Sequence, residues 1–187
     1  MPFHKYLGCF LLMFFAVSAR AEGLPGRLVL GFQAAYGLEN DIPHNSNNAH
    51  INMLYAQPQI GIVAWNSPES RLPVKRFDVI SEGIIGGSLH PGGRMLGDTL
   101  LFRFEGKPLH GLLPFLDVGS GPLNTTINEH GASELGGNVQ FLSQGGIGVQ
   151  HKKYILEYRY FHMSNAGLTK PNHGFNGSML TVGLRWR

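Results

Sequence analysis

His162 and Ser164 lie two residues apart at the end of a run, Tyr154 to Ser164, that alternates between two kinds of side chain. In an extended strand successive side chains point to opposite faces. Tyr154, Leu156, Tyr158, Tyr160, His162 and Ser164 therefore share one face, and Glu157 and Arg159 share the other. Residues two apart on a strand have Cα atoms about 6–7 Å from each other, near enough for an imidazole and a hydroxyl to lean into one hydrogen bond. That is the pairing of a general base with a nucleophile. The same residue types also occur as ordinary polar groups at a strand end, and the longer string around them separates the two readings.

That string, His162-Met163-Ser164-Asn165-Ala166 continuing to Pro171-Asn172-His173-Gly174, resembles the H-x-S-N-A…P-N-x-G signature of the outer-membrane lipid A 3-O-deacylase (PagL-type) family. The motif covers about fifteen residues, ending at Asn176, and the preceding Tyr158-Arg159-Tyr160-Phe161 is similar too. Pro114 to Gly121 and Gln144 to Gly148 resemble the family's barrel strands, whereas the first hundred residues match in general character only. The resemblance implies a serine-type ester hydrolase that needs no cofactor and removes an acyl chain from lipid A. Ser164 would attack the acyl carbonyl, and His162 would take the hydroxyl proton and pass it to the leaving alcohol. Asn165 and the Ala166–Gly167 backbone would meet the oxyanion.

One position departs from the family pattern. A Glu stands twelve residues beyond the family's serine, and here that residue is Asn176; no Asp or Glu follows Glu157 anywhere in the chain. An Asn carbonyl can hold the imidazole tautomer but cannot stabilise an imidazolium by charge. The third member is thus Asn176 at reduced activity, or an acid from another strand, or the barrel is a degenerate, inactive one.

These residues need a scaffold that crosses a membrane. Residues 1–21 read as a secretory signal, with Lys5, an apolar core from Leu7 to Val17 and a small-x-small site at Ala19-Arg20-Ala21. Residues 22–187 remain as one domain. Removing Lys5, Arg20 and no acid brings the net charge from +3 to +1, and no basic block survives to bind nucleic acid. Cys9, the single cysteine, leaves with the signal, so the mature chain has neither thiol chemistry nor disulfides. The scattered histidines, including His44, His50, His90, His110, His130, His151 and His173, show no metal-ligand spacing, and no metal is expected.

Charged residues make up only 14% of the chain, against about a quarter in ordinary soluble domains. With 26 glycines, many aromatics and no long apolar helix segment after the signal, the chain suits an all-β, eight-stranded antiparallel transmembrane β-barrel in a Gram-negative-type outer membrane. The expected strands are Leu28 to Gly37, Ala49 to Trp65, Val74 to Leu89, Gly97 to Lys107, Leu112 to Ser120, Val139 to Gln150, the run ending at Ser164, and Ser178 to Arg187. Polar loops at Asn45 to Asn48 and Asn124 to Gly137, and a loop at His90 to Gly93, separate them. Long extracellular loops should alternate with tight periplasmic turns.

Arg103, Glu105, Glu157, Arg159 and Arg185 fall on inward parity, where they would pair across a narrow interior and close it as a channel. The His162–Ser164 face then looks outward to lipid, which implies a membrane-embedded substrate. Lys170, Lys152 and Lys153 would meet lipid A phosphates if they lie at the outer-leaflet end. Self-association into a homo-oligomer is left open. Two other readings are a non-enzymatic barrel with a structural or binding role, and a periplasmic lipocalin-like carrier with the apolar face turned inward.

Overall fold

The computed structural model describes residues 26–39, 52–90, 92–127, 129–130 and 133–186. The signal at 1–21 and the loop at Asn45 to Asn48 lie outside them. The strands are β1 (Leu28–Glu39), β2 (Asn52–Asn66), β3 (Arg76–His90), β4 (Gly93–Glu105), β5 (Leu113–Thr125), β6 (Glu129–His130), β7 (Ser133–Glu134), β8 (Val139–His151), β9 (Tyr154–Ser164) and β10 (Phe175–Trp186). Eight close into a barrel in the order β1-β10-β9-β8-β5-β4-β3-β2, all pairs antiparallel, while β6 and β7 form a small hairpin in the β5–β8 connection. Closure leaves the eight barrel strands without an edge, so their ladders can be satisfied without water.

Alternation follows the sequence. On β9 every second residue from Ile155 to Met163 is buried, while Tyr154, Leu156, Tyr158, Tyr160 and His162 are exposed. The outer surface is an apolar belt that includes Leu30, Phe32, Ile60, Phe102, Val118, Ile147, Leu156 and Val182. A lipocalin-like carrier would bury these residues and expose the charges, so that reading is overturned.

The interior is filled, in two layers. Mid-barrel, Arg159 Nε donates to Glu157 at 2.6 Å, and its Nη1 donates to Glu82 at 2.6 Å and Gln144 at 3.1 Å. Arg103 forms a forked pair with Asp117 at 2.7 and 2.5 Å, and Arg185 bonds Asp78. Gly146 makes room for this layer, because a Cβ there would stand 2.5 Å from Arg159 Cγ. Toward the end that holds the β9–β10 connection the filling turns apolar: Met53, Ile84, Met95, Leu142, Phe161, Met163, Phe175 and Met179 pack with Ile127 and Leu135 from the β5–β8 connection. Phe161 and Phe175 meet edge to face at 5.9 Å.

Several boundaries differ from expectation. β4 begins at Gly93, not Gly97, because Gly93 to Leu96 go on pairing with Ser88 to Ile85, so that two residues separate it from the end of β3. β5 runs on to Thr125, with Pro122 accommodated on the exposed face. β10 starts at Phe175, three residues before Ser178, and this brings Asn176 into the ladder directly opposite His162. Loop lengths do not alternate strictly either. The connections at 91–92 and 165–174 share one end, while the nine-residue connection at 67–75 lies at the other with the turn at Lys152-Lys153 and both ends of the barrel chain.

Candidate active site

His162 and Ser164 are held on the exposed face of β9 by what lies behind them. Met163 and Phe161 project inward from the same strand and are almost fully buried in the apolar layer, so β9 can neither twist nor slip without withdrawing them from it. His162 Nδ1 lies 2.9 Å from Asn176 Oδ1, its neighbour in the β9–β10 ladder. With the amide oxygen as acceptor, Nδ1 carries the proton and the Nε2 lone pair is left free. Ser164, half-buried, ends the strand.

Both side chains abut Gly174. A Cβ on that residue would stand 3.0 Å from Ser164 Cβ, 3.1 Å from His162 Cε1 and 2.9 Å from the Met163 carbonyl, and its φ is +63°. Only glycine fits the conformation and the gap together. The final Gly of the P-N-x-G string is thus a wall of the site.

Asn165 is completely buried and braces the loop that follows. Its Nδ2 lies within hydrogen-bond range of the Leu135 carbonyl at 2.9 Å, the Thr169 carbonyl at 3.0 Å, Thr169 Oγ1 at 2.9 Å and the Pro171 carbonyl at 3.1 Å. Its Oδ1 accepts from the Gly167 N–H at 2.8 Å, and its own N–H donates to Asn172 Oδ1 at 3.0 Å. Ala166 and Gly167 follow with φ of 52° and 79°, which turns the chain sharply away from the strand. The N–H groups of Asn165 and Gly167 are therefore engaged within the loop, whereas among the described residues no bond of the Ala166 N–H is seen. The bracing role of Asn172 and the walling role of Gly174 were not assigned from the sequence, although both residues stand in the motif.

Lys170 is exposed in the same loop. Lys152 and Lys153 form the β8–β9 turn at the opposite end of the barrel, since one full strand separates them from Ser164, so they do not share an end with the site. His151, beside them, faces the Gly111 carbonyl at 3.1 Å, also remote from it.

Taken together, a closed, filled barrel with an apolar outer belt, carrying His162 and Ser164 on the outer face of β9, defines the class: an eight-stranded outer-membrane barrel protein. A model of the lipid A 3-O-deacylase (PagL) family matches residues 93–185. The chain belongs to that family, and it is an outer-membrane lipid A deacylase, an ester hydrolase. The crystal structure of the outer membrane enzyme PagL superposes with a TM-score of 0.68 at 19% identity, covering 82% of this chain and 97% of that one, which establishes the shared fold. The N-terminal β-barrel domain of Pseudomonas aeruginosa OprF gives a TM-score of 0.48 at 14% identity over 86% of this chain and 99% of that one. No curated protein sequence matches significantly.

Proposed function

We propose that the chain removes the 3-position acyl group of lipid A by serine-type hydrolysis. Ser164 Oγ attacks the ester carbonyl while His162 Nε2 takes its proton. The tetrahedral intermediate collapses as that proton passes to the sugar oxygen, leaving the acyl chain on Ser164. Water, deprotonated by the same nitrogen, then releases the fatty acid and restores the serine. Asn176 holds the tautomer that makes Nε2 a base. The Ala166 N–H is the donor for the oxyanion, and Asn165, through its bracing of the turn, positions that amide. Lys170 stands on the same loop, where an anionic group of lipid A would meet it. Residues 1–21 serve as the export signal.

The observation that carries the reading is the 2.9 Å contact between His162 Nδ1 and Asn176 Oδ1, because it leaves the basic nitrogen on the lipid-facing side that Ser164 shares. The site also lies at the end opposite the termini. In outer-membrane barrels with periplasmic termini, that end faces the outer leaflet, where the substrate resides. Ser164→Ala and His162→Ala are each expected to abolish deacylation, read by mass spectrometry of lipid A, while the protein stays a folded, heat-modifiable barrel. Loss of the acyl chain at the normal rate in both variants would reject the assignment.

A further inference from the structure

The β5–β8 connection is tied to the catalytic loop through one buried side chain. Gln140, the second residue of β8, is fully buried and faces the apolar layer. Leu123 is its ladder partner, and Leu142 follows on the same inward face. An amide in such surroundings is unfavourable unless it is hydrogen-bonded. Gln140 Nε2 donates to the Leu135 carbonyl at 3.0 Å and to the Gly137 carbonyl at 2.7 Å. An amide nitrogen has two hydrogens, so both are committed to the backbone of this connection.

The Leu135 carbonyl is a junction. Its oxygen also lies 2.9 Å from Asn165 Nδ2, so its lone pairs serve β8 on one side and the catalytic loop on the other. A second link runs beside the first. Thr169 Oγ1 lies 2.9 Å from Asn165 Nδ2 and donates to the Gly136 carbonyl. Gly136 has a φ of +66°, and a Cβ on it would collide with the Pro171 carbonyl and stand 2.7 Å from Asn165 Nδ2. The two connections therefore meet more closely than a residue with a side chain would permit. The Leu135 side chain, fully buried in the apolar layer, pins the connection from the barrel side.

Building on the proposed reaction, we infer that Gln140 is a positioning residue for the hydrolysis. By holding the Leu135 and Gly137 carbonyls it fixes the seat of Asn165, and Asn165 in turn fixes the bend that directs the Ala166 N–H toward the oxyanion. Gln140 touches no reacting atom and acts only through this chain of bonds. Deleting an oxyanion donor in a serine hydrolase lowers kcat by about 10²–10³-fold, and a donor displaced rather than deleted loses part of that. The charge it meets develops only in the transition state. Misplacing it therefore lowers kcat and leaves KM in place.

The test uses the full-length mature protein in detergent micelles with lipid A as substrate. In Gln140→Leu, which removes both donors and suits the apolar layer, kcat per folded molecule is expected to fall about tenfold with KM within about twofold of the wild type. Thr169→Val cuts the second link at an exposed loop residue and should show the same split. Gln144→Leu is the control. Gln144 is buried on the same strand, but its amide donates to Glu82 and Thr99 in mid-barrel, so its loss should lower the urea midpoint for refolding and leave kcat unchanged. Heat-modifiability confirms that each variant is folded, and if Gln140→Leu does not fold, Thr169→Val decides. Wild-type kcat in folded Gln140→Leu, a loss confined to KM, or an equal fall of kcat in Gln144→Leu would overturn the positioning role while leaving the hydrolytic assignment intact; with Gln140→Leu unfolded, wild-type kcat in Thr169→Val would do the same. Turnover by Ser164→Ala would instead strike at the hydrolytic assignment itself.

Discussion

The two faces of β9 hold polar side chains in opposite circumstances. Inward, Arg159 is fully buried and its guanidinium meets Glu157, Glu82, Gln144 and Gln33 within 3.2 Å. Outward, His162 has Asn176 on Nδ1, which leaves the Nε2 lone pair available on the face that Ser164 shares. A polar group whose bonding capacity is used up by protein neighbours fills and fixes the barrel. One left with spare capacity at a hydrocarbon surface costs stability and is kept for what it does to a substrate. Damage to the inner face should therefore appear in stability, and damage to the outer face in chemistry.

The largest effect that would break this division is removal of the central cation. Arg159→Met leaves Glu82 and Glu157 without their shared guanidinium, and removing one partner from a buried ion pair costs about 3–5 kcal/mol. The urea midpoint for refolding in micelles should fall accordingly, while turnover per folded molecule stays within about twofold, since the hydrogen bonds of Arg159 run to interior groups. A wild-type midpoint would mean that the charges do not hold the interior. Next in size is the neighbouring residue on the other face. Tyr158 is half exposed and its hydroxyl donates to Ser178 Oγ at 2.7 Å. Tyr158→Arg should disfavour insertion by about 2–4 kcal/mol if the position lies near the bilayer midplane. Cysteine-attached spin labels give an independent check: a label at 158 should be reached by a lipid-soluble quencher and one at 159 should not. The reverse pattern would turn the strand inside out and remove the physical reason for a lipid substrate.

How much of this was legible in the sequence differs between strand and loop. The period of two on β9 and β4 showed which residues face lipid, and therefore that Arg103 and Arg159 turn inward while His162 and Ser164 turn outward. Asn176 was singled out only because a family pattern has an acid there. Its place opposite His162 depends on β10 starting at Phe175, and the Asn-Gly after Phe175 reads as turn chemistry when judged locally. The function of Asn165 was hidden for a different reason. One of its acceptors, the Leu135 carbonyl, lies 30 residues away in another connection, and no local pattern encodes such a contact. The end of the barrel occupied by Lys152 and Lys153 was within reach, since counting one strand from Ser164 places them opposite.

The smallest effect sharpens the comparison at one atom. Among the described residues the buried Arg103, Arg159 and Arg185 each face a carboxylate, but on the outer face the group bonded to His162 Nδ1 is neutral. In the proposed mechanism an imidazolium forms in the transition state, and Asn176 Oδ1 would oppose it with a dipole only. Asn176→Glu would place a full charge at the same position in the ladder, near the loop end of the strand, where the cost of a charge on the lipid face is low. Turnover is expected to rise by at least about tenfold, equivalent to about 1.4 kcal/mol of transition-state stabilisation, with no change in the refolding midpoint. Asn176→Ala should move the opposite way, because nothing would then hold the ring with Nε2 toward Ser164. Lipid A hydrolysis measured side by side for Asn176→Glu, Asn176→Ala and the wild type decides the matter. Equal rates in all three would show that a residue other than Asn176 orients His162, and the outer face would have lost the partner that distinguishes it from an ordinary polar strand end.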